Sequence, residues 1–169
     1  MELGQVIPAV RPVENLMGAL PGDVPTRLSA LLNTFNSAVI DQEVVMRTAV
    51  RAALDAWLEN HRKSVDVPVR TGRRIGWLDQ VLEPLRNQLP KVHYRRLRAA
   101  LALTLGPDSV IIMKDVCGLD DTQSLAALDW AAHALLEAGL AQSQASSKSS
   151  TSPNMTVKRG RSRRTAPPP

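Results

Sequence analysis

The stretch Leu28-Ser29-Ala30-Leu31-Leu32-Asn33-Thr34-Phe35-Asn36-Ser37-Ala38-Val39 sets Leu28, Leu31, Leu32, Phe35 and Val39 at i, i+3, i+4, i+7 and i+11. An α-helix turns once every 3.6 residues, so these five side chains share one face. Downstream, Asp41 is placed to cap a second helix whose Met46, Val50, Leu54 and Trp57 form one stripe. Its outer side carries Arg51–Asp55 and Glu59–Lys63, two oppositely charged i, i+4 pairs. The segment from Ser64 to Gly72, with Pro68 inside it, reads as a loop.

A third helix is expected from Arg73 to Leu89, with Ile75, Leu78, Leu82, Leu85 and Leu89 at heptad spacing and a kink at Pro84. A fourth runs from Val92 to Val116 and is interrupted at Gly106-Pro107. Gly118 stops it, and Asp120 or Asp121 caps the last helix, Thr122 to Gln142. Alanines at 126, 127, 131, 134 and 138 keep that helix slim, which lets neighbours approach closely. Upstream, Pro8, Pro12, Pro21 and Pro25 with Gly4, Gly18 and Gly22 forbid a long helix, leaving about two turns between Val13 and Leu20. Val110 to Met113 is the one strand-like run, and no β partner for it exists elsewhere. The fold expected is all-α, an antiparallel helical bundle. Residues 1–24 form a Pro/Gly-rich segment, residues 25–142 the helical domain, and residues 143–169 a basic, Pro-terminated tail expected to be disordered.

Composition agrees. Hydrophobic residues are 44% of the 169, enough for a core, and one Phe, one Tyr and three Trp leave that core to Leu, Val, Ile and Ala. The net charge of +5 is uneven. The six basic residues after Ala141 (Lys148, Lys158, Arg159, Arg161, Arg163 and Arg164) leave 15 basic against 16 acidic residues before them. The domain is therefore near neutral, and its tail alone invites nucleic acid. Without interleaved aromatics such binding would be non-specific and salt-sensitive. One cysteine excludes an intramolecular disulfide, the first residues lack a signal-peptide pattern, and no helical stretch is apolar for long enough to span a bilayer; the expected location is the cytoplasm. No Gly-rich phosphate loop, Gly-x-Ser-x-Gly or His-Glu-x-x-His is present, and His61, His93 and His133 are too scattered for a metal site. Enzymatic activity, a cofactor and a bound metal are not expected.

The runs Arg73-Arg74-Ile75-Gly76-Trp77-Leu78, Glu83-Pro84-Leu85, Leu97 to Leu105, Lys114-Asp115-Val116-Cys117-Gly118-Leu119 and Leu128-Asp129-Trp130-Ala131-Ala132 carry a resemblance. Together they resemble the C-terminal ligand-binding and dimerisation domain of TetR/AcrR-family transcriptional regulators, best from Arg73 to Leu140. The resemblance implies transcription regulation through a homodimer whose last two helices form a four-helix bundle with their mates, and a small apolar effector held between earlier helices. Family members carry a helix-turn-helix ahead of this domain, and residues 1–24, with Arg11 their one basic residue, do not supply it. The expectation is a truncated regulator that does not bind operator DNA alone and is able to pair with a full-length relative. The alternative is a helical scaffold or dimer partner touching nucleic acid non-specifically through Lys158, Arg159, Arg161, Arg163 and Arg164.

Candidate pocket residues are Met46, Val50, Trp57, Trp77 and Val81, although an ordinary core displays the same stripe. Candidate dimer residues are Leu101, Leu105, Leu125, Leu128, Ala132, Leu135 and Gly139. Asp115, in the last turn of a helix, opposes the macrodipole and, if buried, calls for a cationic partner, with Arg73, Arg74 or Arg98 in view. Cys117 reads as a small buried hydrophobe.

Overall fold

Asp23 accepts a hydrogen bond from the Thr26 backbone N–H at 3.0 Å, and Pro25 occupies the first turn, so the chain enters helix α2 (Val24–Asp41) already shaped for it. A computed structural model describes residues 10–20, 22–66, 70 and 72–149. The five residues that define the α2 stripe are all buried. Helix α2 is the axis of the fold: α1 (Arg11–Met17), α4 (Arg73–Val81), α6 (Pro107–Ile111) and α7 (Asp121–Ser149) all pack on it. Phe35 of α2 meets Trp77 of α4 edge to face, ring centroids 5.0 Å apart. Among the described residues there are seven α-helices and no strand. The fold is all-α.

Four expected boundaries shift. Pro84 breaks the third helix instead of kinking it: α4 stops at Val81 and Pro84 lies in a 3-10 turn, Glu83–Leu85. Proline offers no N–H and clashes with the preceding turn. Leu78, Leu82, Leu85 and Leu89 are nevertheless all buried, so the apolar repeat survives the break.

The fourth helix becomes α5 (Lys91–Leu101), a 3-10 turn (Ala102–Thr104), α6, and a π-helical turn (Ile112–Val116). Gly106 makes the reversal before α6 with φ of 101°. A Cβ there would stand 3.0 Å from Phe35 Cε1 and 3.2 Å from Arg74 Cδ, so a side chain would be strained in its backbone and would press on both neighbours. The buried amide of Asn36 ties this corner to α2, donating to Thr104 O at 3.1 Å and accepting from Gly106 N at 2.8 Å.

Asp120 and Gln123 form the reciprocal capping box that opens α7: Gln123 N donates to Asp120 Oδ1 at 2.8 Å, and Asp120 N donates to Gln123 Oε1 at 3.1 Å. Helix α7 continues to Ser149, past the expected end at Gln142, so the first residues of the supposed tail are helical. The Pro/Gly-rich residues 1–9 and the basic residues from Lys158 to Arg164 lie outside the described residues.

Helix α3 (Glu43–Arg62) follows α2 after Gln42 alone, and Asp41 ends α2 instead of capping α3. Its far end closes with Ser64 left-handed at φ of 53°, Ser64 N donating to His61 O at 3.1 Å and Val65 N to Asn60 O at 2.9 Å.

Candidate functional site: an uncovered two-helix face

The five residues proposed for a pocket do not converge on one. Met46, Trp77 and Val81 are buried core residues, and Val50 is half-buried. Trp57 is 54% exposed on the outer half of α3, stacked on His61 at 5.2 Å. It borders an open cleft of about 370 Å³ lined also by Asn60, Ser64, Val65 and Asp66. Of the five, only Trp57 touches this cleft.

The residues proposed for a dimer contact turn inward. Leu101, Leu105, Leu128 and Ala132 are buried in the chain's own core. Leu135 packs against that core, Leu125 is half-buried, and Gly139 receives Leu97 of α5, where a Cβ would come within 3.0 Å of Leu97 Cδ1. A heptad repeat marks the covered face of a helix, and here α2 and α5 of the same chain provide the cover.

The opposite face of α7 is the one left open. It presents Ala126, Trp130, Ala134, Glu137, Ala138 and Ala141, with Trp130 74% exposed. Helix α5 lies alongside, its Arg96 hydrogen-bonded to Gln142, and shows Lys91, Val92, Arg95, Arg96 and Ala99 to solvent. Leu103, just beyond α5, is 76% exposed and Val92 is 72% exposed. The exposed charges of α5 are thus basic, and those of α7 as far as Ser143, Asp121 and Glu137, are acidic. Periodicity could have found this face, because Trp130, Ala134, Glu137 and Ala141 repeat on a second heptad half a turn from the first.

Asp115 takes Arg47 as its partner, in place of Arg73, Arg74 or Arg98. Arg47 donates from both terminal nitrogens to both Asp115 oxygens at 2.6 Å. Arg74 instead serves Leu105 O and Asp108, and Arg98 serves Asp79. Burial pushes the Asp108 carboxyl up, but Arg70 and Arg74 outweigh it and hold it below its ordinary range. The Tyr94 phenol donates to Asp79 at 3.0 Å and is pushed up, first by burial and then by that bond. Cys117 follows the π-helical turn and is exposed instead of buried.

His133 is not isolated. Its Nε2 lies 2.7 Å from Ser29 Oγ, which donates to Asp129 Oδ1 at 2.9 Å. A hydroxyl has one proton, so both contacts are met only if His133 Nε2 carries a hydrogen. A serine activated for nucleophilic attack needs that nitrogen free and the carboxylate on the other one. Here serine and carboxylate both sit by Nε2, Asp129 at 3.8 Å, and the cluster joins α2 to α7. Among the described residues no three His, Cys, Asp or Glu side chains are grouped to hold a metal, and no helix is long and apolar enough to cross a membrane. No protein-family model matches the chain, no curated protein matches it, and no solved structure matches it.

Proposed function

We propose that this chain is a dimerising regulatory domain of the kind found in TetR/AcrR-type transcriptional regulators. The motif resemblance from Arg73 to Leu140 supports the reading, and so does the all-α architecture. The observation that carries it is the open α5–α7 face. A tryptophan 74% exposed amid alanines is costly to leave in water, whereas the aromatic anchors of interfaces are typically this kind of residue. A second copy suits the face. Helix α7 is 29 residues long, or about 43 Å at 1.5 Å per residue. With the 11-residue α5, about 16 Å long, beside it and about 10 Å of width for each helix, the face offers roughly 600 Å² per partner, the lower end of stable interfaces. A two-fold arrangement laying each α7 on the other copy's α5 sets Glu137 against the basic Lys91, Arg95 and Arg96. In this reading the homodimer carries a small apolar effector, and a full-length regulator of the same type is a possible pairing partner. Operator recognition belongs to a separate helix-turn-helix.

Native mass spectrometry of the purified chain tests the proposal. A dimer is expected, and Trp130→Glu, which leaves the core untouched, should weaken it by at least ~30-fold, the effect of losing a hot-spot residue worth about 2 kcal/mol. A wild-type monomer at micromolar concentration would sink the reading.

A further inference from the structure

Helix α3 is joined to the rest of the fold unlike any other long helix. It departs from α2 through one residue, Gln42, at φ −119° and ψ 32°, and Met46 is its only buried side chain. Its inner half rests on α2 and α6; its outer half turns the same face, with Leu54, Trp57 and Leu58, to solvent. Charge holds the inner half. Glu43 accepts from Arg47 Nε at 2.8 Å and from Lys114 Nζ at 2.5 Å. Arg47 reaches across to grip Asp115 with both forks, and Lys114 also donates to Asp121 at 2.8 Å. Glu43 and Arg47 belong to α3, Lys114 and Asp115 to the π-helical turn, and Asp121 to the first turn of α7.

We propose that α3 is an arm hinged at Gln42 and held closed by this five-residue clamp, so that its release is felt at the π-helical turn and at the start of α7. The clamp is polar and accessible to ions, so salt or a single neutral substitution loosens it, and Met46 is the one core side chain that the arm withdraws when it opens. The inference goes beyond the regulatory reading and holds for a monomer or a dimer.

Amide hydrogen exchange of the whole chain tests it, compared between about 0.01 M salt, with a Debye length of ~30 Å, and about 1 M, where it is ~3 Å. In Asp115→Asn, and in wild type at high salt, α3 amides beyond Arg47 should exchange up to roughly fivefold faster while α2 and Leu128–Leu136 stay unchanged. Lys114→Gln should in addition speed exchange in the first turn of α7. The proposal fails if α3 keeps its protection throughout, if all helices lose protection together, or if α3 is already unprotected in wild type at low salt.

Discussion

Helices α2 and α3 meet at a single residue and are of similar length, yet they are held in opposite ways. Eight residues of α2 are buried, seven of them apolar, while α3 buries Met46 alone and relies on ion pairs whose side chains are 23% to 49% exposed. Each buried Leu or Phe contributes about 1.5–3 kcal/mol, whereas an exposed ion pair contributes about 0–1 kcal/mol. Burial therefore fixes α2, and geometry more than strength locates α3. The contrast predicts unequal tolerance. Leu32→Ala in α2 should cost about 3–4 kcal/mol and lower the thermal midpoint of the whole domain. Leu54→Ala on the outer half of α3 should change stability by less than about 0.5 kcal/mol. Thermal or denaturant unfolding of the two variants measures this directly, and equal losses would erase the distinction.

The same contrast explains what could be read from the sequence. The α2 stripe was legible because burial imposes a period of 3.6 on every residue that touches the core. The stripe of α3 has the same period, but the pattern does not say whether a face is covered. Leu54 and Trp57 therefore read as core residues or pocket wall and turn out to be exposed. On α7 the stronger of two apolar faces was assigned to a partner when it belongs to the chain's own core. Small residues do not reveal which neighbour they admit, and Gly139 admits Leu97. Long-range pairs such as Arg47–Asp115 and Ser29–His133 leave no local trace, since they depend on the reversal at Gly106 and on the docking of α7. A cap at Asp120 or Asp121 was legible because the cue is local, and the structure gives it to Asp120, with Gln123 completing the box.

Acid should separate the two regions next. The bond from Lys114 and then that from Arg47 hold Glu43 below its ordinary range, and the bond from Arg47 does the same for Asp115. A carboxylate whose folded pKa is depressed contributes stability that is fully present above the unfolded value. That contribution is lost as the pH falls through the folded value. The clamp should thus hold fully above about pH 4.5, weaken as the pH falls through the ordinary carboxylate range, and fail only below the lowered folded values. Exchange of α3 amides should accelerate there while Leu28–Val39 remain protected. Simultaneous loss in α2 and α3 would mean the two helices unfold as one unit.

The smallest effect lies at the far end of the arm. Ser64 holds a left-handed backbone with φ of 53°, a conformation that costs a side-chain-bearing residue about 1 kcal/mol and glycine almost nothing. Ser64→Gly should therefore steady the closing turn, where Ser64 N and Val65 N bond to His61 O and Asn60 O. Part of that gain is offset by the greater freedom of glycine in the unfolded chain, leaving about 0.5 kcal/mol. If α3 opens independently of the core, the gain should appear as slower exchange at Ser64 and Val65 with the thermal midpoint unchanged. A midpoint that rises with it would show that the last turn of α3 unfolds together with α2, and the arm would then be a continuation of the core.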